Sequence, residues 1–185
     1  MDISMTFVAL LMLLWALLTR YLLVNKKKGR YYMIFFSLLY LYACLVMALT
    51  QFPIKHDPDA EQNVFRQMQL IPIITFPKTG VMTMLKDIFM LLPFGFLFPL
   101  LKRYTWKGML FASAIFGVGI ELMQLVIALL NGSTTRIVDI NEVIAGVIGG
   151  MIGYGIYIGF EKLVATLLPE EDLLRKFIVE GRKGL

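Results

Sequence analysis

The sequence predicts an all-α integral membrane protein with about five transmembrane helices. Two observations predict this class. Hydrophobic residues make up 58% of the 185 residues and charged residues 17%, whereas soluble domains are about 45–50% apolar and about 25% charged. The apolar residues also lie in long runs, and about 20 of them in a helix cross the ~30 Å hydrocarbon core of a bilayer.

Four of the apolar runs are longer than 20 residues, and each is predicted to be a membrane-spanning helix. The N-terminal run begins within the residues MDIS, which lack the basic segment of a secretory signal peptide. We therefore interpret it as a retained span. The four runs are Ile3–Val24, Tyr31–Phe52, Gly108–Leu130 and Ile137–Phe160.

A fifth run, third in chain order, is harder to interpret because it is short. Ile88–Leu101 would extend about 21 Å as a helix, which is too little to cross the bilayer. Extension back to Val81 makes it long enough but places Asp87 inside the span. Because Pro93 and Gly95 interrupt its middle, we expect this run to be kinked or re-entrant.

The basic residues predict the orientation. Most of the 18 Lys and Arg residues lie at 20–30, at 102–107 or after 161. Cytoplasmic loops of membrane proteins carry an excess of Lys and Arg. The N-terminus is therefore predicted to be outside and the C-terminus cytoplasmic. The net charge of +5 is accounted for by topology, and no nucleic-acid partner is expected.

Polar side chains in the last three runs form the candidate site. The topology places the acidic ones in the outer half of the membrane. Helical spacing places those of the fourth and fifth spans on facing stripes, with Asp87 of the third run at a similar depth. A charge in hydrocarbon costs several kcal/mol, so such residues usually face a cavity and a partner. The candidate binding residues are Asp87, Glu121, Gln124, Arg136, Asp139 and Glu142.

The four carboxylates, which are also the candidate catalytic residues, fit several roles. They can pair with Arg136, bind a hard divalent cation, or act as an acid and a base. Structural roles compete: Asp139-x-x-Glu142 resembles a capping box, and Asp87 would complement a helix dipole. Glu121 lies in mid-span and has no such explanation, so it is the leading candidate.

Glycines of the fifth run are predicted to pack against the fourth. They include Gly146-x-x-x-Gly150, Gly149-x-x-x-Gly153 and Gly155-x-x-x-Gly159, and small residues at this spacing let membrane helices approach closely. The single cysteine, Cys44, excludes an internal disulfide and a cysteine metal cluster. No metal site or cofactor is predicted.

The last three runs carry four short motifs in a fixed order, and an L-I-P segment at 70–72 precedes them. The motifs are Pro93-Phe94-Gly95-Phe96, Glu121-x-x-Gln124, Arg136-x-x-Asp139 and Gly149-Gly150. With these motifs the chain resembles the VanZ-like family of small bacterial membrane proteins over roughly 70–159. It departs from the family pattern at Asp87 and Gly146, where the family usually has Asn, and at Glu142, where it usually has Asp.

The resemblance implies a multi-pass protein of the bacterial cytoplasmic membrane with a VanZ-like domain at 70–160. Two helices and an outer loop at 1–69 precede it, and a charged, amphipathic tail at 161–185 follows on the cytoplasmic side. The family takes its name from a protein linked to resistance to lipid-tailed glycopeptides such as teicoplanin. The resemblance therefore implies a cell-envelope role.

Three functions are compatible with these observations. The leading hypothesis is that an acidic and amide-lined pocket at the outer membrane face engages a lipid-linked envelope precursor or a lipoglycopeptide. A membrane-embedded hydrolase or transferase acting on a lipid-linked substrate is the alternative, although the chain lacks a Ser–His–Asp order and an HExxH motif. A structural or partner-binding helix bundle is the third, and whether the protein is an enzyme stays open.

Overall fold

The computed structural model describes residues 3–51, 78–131 and 139–181, and within these ranges it contains helices and no β-strand. Five helices are long. The tail adds one turn of α-helix and one of π-helix. In chain order they are α1 (Ile3–Val24), α2 (Arg30–Gln51), α3 (Lys78–Leu101), α4 (Trp106–Asn131), α5 (Ile140–Leu167), α6 (Leu173–Arg175) and the π-helical turn Lys176–Gly181.

Among the residues that the structure describes, four helices are long and apolar enough to cross a membrane, which agrees with the predicted class. In α1 the segment Leu10–Val24 is a shorter apolar helix. A crossing by α1, and with it the count of five, stays a prediction, as does the orientation. The four candidate spans are Arg30–Thr50, Val81–Leu101, Trp106–Ile127 and Ile140–Leu167.

The third run is one continuous helix of 24 residues with Pro93 and Pro99 inside it. The expectation of a short or re-entrant segment is therefore wrong, because the helix begins ten residues before Ile88, at Lys78. Asp87 lies nine residues into α3, or about 14 Å along its axis. That position is well beyond the first turn, where a helix dipole acts on side chains.

Backbone packs on backbone where α3 and α5 meet. A Cβ added at Gly149 would lie 2.1 Å from the carbonyl oxygen of Ile88, and one at Gly153 would lie 2.0 Å from that of Leu92. These distances are shorter than any real carbon–oxygen contact, so only glycine permits this approach. The glycine stripe of α5 is thus directed chiefly at α3.

The same helix also packs against α4, as the sequence predicted. A Cβ at Gly150 would lie 2.3 Å from Oγ of Ser113, and Gly117 faces Val143 across the interface. The three glycine pairs do not all lie at this interface. The stripe is shared between α3 and α4, and a Cβ added at Gly155 or at Gly159 would meet no atom within 4 Å.

The opposite face of α5 is apolar and exposed. Isoleucines recur every fourth residue along it, each at least 40% exposed: Ile144, Ile148, Ile152 and Ile156. Such a stripe is unfavourable in water and suits contact with lipid. On its inward glycine face α5 packs against both α3 and α4, which contact α5 more than they contact each other.

The C-terminal segment packs onto the start of α2. Phe177 is 4% exposed, stacks on Phe35 with ring centroids 5.7 Å apart, and also contacts Tyr31. Asp172 caps this segment because its carboxylate accepts from the backbone N–H groups of Leu174 and Arg175. The predicted tail at 161–185 therefore begins inside α5, which ends at Leu167. Its remaining described part, up to Gly181, contains two short helical turns and docks on the bundle.

Candidate functional site

Glu121 links α4 to the beginning of α5. Its side chain is 5% exposed, and its Oε2 accepts a hydrogen bond of 3.1 Å from the backbone N–H of Asp139. Glu121 lies ten residues before the end of α4 at Asn131, which is about 15 Å along the helix axis. The first turn of α5 therefore lies beside the middle of α4.

Asp139 is the N-cap of α5. Its Oδ1 accepts from the backbone N–H of Asn141 at 2.8 Å and from the Asn141 side chain at 2.9 Å. In a capping box the residue three positions on accepts the N–H of the cap, and here that residue would be Glu142. The structure instead shows Glu121 accepting this N–H, so the cap is shared between two helices.

The capping explanation is thus confirmed for Asp139, and it extends to Glu121. The sequence indicated a functional or polar-network role for Glu121 and no capping role. The structure adds the capping role, since a backbone N–H at a helix start needs an acceptor, while a role in ligand binding stays a prediction. Glu142 lies in the first turn of α5 and is half-buried. Gln124, one turn after Glu121, is 8% exposed.

Asp87 is the least satisfied polar group of the site. It is 7% exposed, and its Oδ2 is buried without a hydrogen-bond partner among the residues that the structure describes. A buried polar atom in this state carries an unfavourable free energy. The helix-dipole explanation for Asp87 is wrong, because α3 begins nine residues earlier.

The four carboxyl groups are close enough to interact electrostatically. Asp87 interacts with Glu142 and Asp139, and Glu121 interacts with Asp87, Asp139 and Glu142. We call these four residues the carboxylate cluster. Like charges in a low-dielectric interior repel strongly unless donors or cations neutralise them. The structure therefore gathers the four acidic candidates in one place, while a ligand-binding role for them stays a prediction.

Cations near the cluster are few in the described part of the chain. Lys86 acts electrostatically on its neighbour Asp87, whereas Arg136 lies outside the described residues. Across 3–51, 78–131 and 139–181 no group of three or more His, Cys, Asp or Glu residues is arranged to hold a metal ion. The divalent-cation alternative gains no support from this geometry.

Tyr42 binds the backbone of α3, a role that the sequence analysis did not identify. Its hydroxyl donates to the carbonyl of Met90 and also forms a backbone hydrogen bond with Phe94. Those two residues flank the point where Pro93 removes a helical N–H from α3. The signal that could have found it is a tyrosine in the middle of a span, far from the interfacial belts where this residue is usual.

Residues 35–163 match the family model described as VanZ/LLP1. The chain belongs to the VanZ/LLP1 family. Comparisons with curated proteins and with solved structures give no match. The family match begins within α2, further towards the N-terminus than the motifs, and ends within α5. All of α1, the α1–α2 turn and the C-terminal segment lie outside it.

The VanZ/LLP1 motifs contact one another in pairs. Gly95, from the P-F-G-F motif, lies so close to Gly150, from the Gly-Gly motif, that an added Cβ would be 1.9 Å from the Gly150 carbonyl oxygen. Glu121, from E-x-x-Q, binds the backbone of Asp139, from R-x-x-D. The motifs thus specify the packing of α3 and α4 on α5 as well as the polar site.

One departure from the VanZ-like pattern makes the site more acidic, since Asp87 replaces an amide. A second departure, Glu142, keeps the usual acid and adds a methylene to it. The third departure removes bulk, since a Cβ at Gly146 would lie 3.0 Å from Cδ2 of Leu91. An asparagine at this position would require Leu91 to move.

Proposed function

We propose that this VanZ/LLP1 membrane protein binds a lipid-linked component of the bacterial cell envelope through the carboxylate cluster, at the outer face of the cytoplasmic membrane. The observation that carries the proposal is the buried, unpartnered Oδ2 of Asp87 beside three further carboxyl groups. A ligand that donates hydrogen bonds would satisfy this oxygen and offset the repulsion within the cluster.

The chemistry of the cluster defines the ligand. Carboxylates accept hydrogen bonds and attract cations, so the ligand presents amines, amide N–H groups or sugar hydroxyls. A lipid-linked sugar–peptide precursor and a lipid-tailed glycopeptide of the teicoplanin type both carry such donors. The lipid tail of either would lie along exposed apolar faces such as the isoleucine stripe of α5. Gln124 adds an amide, and Arg136 supplies a positive charge for an anionic part of the ligand.

A membrane-embedded hydrolase or transferase on the same class of ligand is the second candidate. The observation that favours it is the electrostatic interaction between Asp87 and Glu121, both more than 90% buried. Two carboxyl groups in different buried environments are the usual basis for separate acid and base roles. In this variant the cluster would protonate a leaving group and activate a nucleophile.

The test compares Glu121→Gln with Glu170→Gln. The amide of Glu121→Gln still accepts the Asp139 N–H but removes one charge, whereas the Glu170 side chain is 88% exposed and lies away from the cluster. Binding of purified protein to a teicoplanin-type lipoglycopeptide and to a lipid-linked precursor is measured. We expect Glu121→Gln to weaken binding about tenfold or more, the usual effect of losing a charged hydrogen bond.

Equal binding by wild type, Glu121→Gln and Glu170→Gln would refute the proposal. Susceptibility of a strain expressing each protein at the same level gives the cellular counterpart. Release of product from a labelled lipid-linked precursor by the wild type, lost in Glu121→Gln, would establish the enzymatic variant. Bound but unchanged precursor would exclude it.

A further inference from the structure

A basic cavity lies at the end of the bundle opposite to the carboxylate cluster, where α2 begins and the C-terminal segment docks. Its volume is about 290 Å³. Two cations and two tyrosines line one side, and two apolar residues of the C-terminal segment line the other. The lining includes Lys28, Arg30, Tyr31, Tyr32, Leu173 and Phe177.

Aromatic rings hold the two cations of this cavity. Nζ of Lys28 lies 4.7 Å from the centroid of the Tyr32 ring, and Cζ of Arg30 lies 5.6 Å from that of Tyr31. Such cation–π contacts restrict long side chains at the edge of a membrane. The turn itself is defined, since Lys27 has a φ of 46° and the N–H of Lys28 donates to the carbonyl of Leu22 at 3.1 Å.

A separate apolar groove lies along α1 and α2 next to the cavity. Arg30 lines both, so the two spaces share a wall. The groove has a volume of about 640 Å³ and is lined by residues that include Leu23, Ile34, Leu38 and Leu41. From Arg30 to Leu41 the helix rises about 16 Å, which is close to the ~15 Å depth of one leaflet of hydrocarbon.

We propose that the cavity and the groove together bind one anionic phospholipid. Its phosphate lies between Lys28 and Arg30, and one acyl chain occupies the groove. A basic pocket beside a membrane helix attracts an anionic headgroup. The groove matches the length of an acyl chain in one leaflet. A free phosphate or a nucleotide would leave the groove empty. The site is separate from the carboxylate cluster, and its basic turn and C-terminal wall lie outside the family match at 35–163.

The test uses the purified full chain in detergent and native mass spectrometry. Phosphatidylglycerol and phosphatidylcholine with identical chains are titrated, and bound lipid is counted. We expect phosphatidylglycerol to bind more tightly. The double variant Lys28→Gln with Arg30→Gln should reduce the affinity ratio of phosphatidylglycerol to phosphatidylcholine by roughly 30-fold. Each positive charge near an anionic lipid raises the affinity about fivefold.

The matched control changes two other cations at the same end of the bundle. Lys102 lies 5.7 Å from the Tyr104 ring and Lys107 lies 5.5 Å from the Trp106 ring, but neither lines the cavity. The double variant Lys102→Gln with Lys107→Gln removes the same charge and two contacts of the same kind. It should keep the lipid preference. Equal losses in the two double variants would show diffuse surface attraction and overturn the site.

A second pair of variants tests the C-terminal wall without removing a cation. Leu173 is 56% exposed and lines the cavity, whereas Leu167 is 67% exposed on α5 and does not line it. Leu173→Glu should weaken phosphatidylglycerol binding, and Leu167→Glu should not. Equal binding of the two lipids to the wild type would overturn the proposal, as would displacement of bound phosphatidylglycerol by inorganic phosphate.

Discussion

Two glycines of α5 that differ only in their neighbours provide the sharpest test of the fold. A Cβ at Gly153 would lie 2.0 Å from the carbonyl oxygen of Leu92 and 3.0 Å from the backbone nitrogen of Phe96. A Cβ at Gly155, two residues later, would meet nothing within 4 Å. Gly153→Ala should therefore destabilise the protein, while Gly155→Ala should leave it unchanged or slightly more stable.

The size of the difference follows from the distances. Ordinary contact begins at 3.4 Å, so α3 would have to move about 1.4 Å away from α5 at Gly153. The obstructing atoms belong to the backbone, and no side-chain rotation relieves the contact. Overpacking of this kind costs about 1–3 kcal/mol. The gain in helix propensity from Gly to Ala, about 1 kcal/mol, applies to both variants and cancels between them.

Thermal unfolding of the purified variants in the same detergent measures this difference. For a chain of this size 1 kcal/mol shifts the Tm by about 2–4 °C, so Gly153→Ala should melt about 2–12 °C below Gly155→Ala. Gly159→Ala is a second control, since it also adds a methyl group in open space. Identical melting of all three variants would refute the close packing of α3 on α5.

Other contacts give smaller effects in the same assay. Tyr42→Phe should lower the free energy of unfolding by about 1 kcal/mol, because it removes a hydroxyl bound to the α3 backbone. Tyr21→Phe, at an exposed tyrosine, should have no effect. Asp139→Ala should lower the free energy of unfolding by about 1 kcal/mol and raise the rate of hydrogen exchange in the first turn of α5. Asp139→Asn should keep the cap. The pair of Arg103 with Glu161, 2.9 Å apart and largely exposed, should contribute less than about 1 kcal/mol, and less still at high salt.

The helical class was predictable because long apolar runs leave few alternatives in a membrane. The third helix was misjudged because the apolar run and the helix do not coincide. The apolar residues begin at Ile88, but the backbone is helical from Lys78, across Lys86 and Asp87. Hydropathy reports which residues lie in the membrane, and a helix can continue through charged residues when neighbouring helices cover them.

Glycine spacing predicted close packing but not its partner. A small-residue stripe identifies the face of a helix on which another backbone can approach, and it carries no information about which helix that is. Gly149 and Gly153 face α3, Gly150 faces α4, and the equally spaced Gly155 and Gly159 face neither. Only the three-dimensional arrangement distinguishes these cases.

The gathering of the carboxylate cluster could be predicted in outline, because depth and helical phase place its members at one level. The hydrogen bond from Asp139 to Glu121 could not. It depends on α5 beginning beside the middle of α4, about 15 Å from the end of that helix. No pattern in the sequence shows how deep inside the bundle α5 begins after the segment that connects it to α4.

This hydrogen bond changes how a substitution of Glu121 has to be read. Removal of its side chain would leave the Asp139 N–H without an acceptor, so loss of function in Glu121→Leu would follow from a lost cap as well as from a lost ligand contact. Glu121→Gln keeps the acceptor and removes the charge. If Glu121→Gln is as stable as the wild type and binds its ligand less tightly, the charge acts on the ligand. If it binds normally, the proposed ligand site is refuted, and unfolding of Glu121→Leu would then show that Glu121 acts as a cap alone.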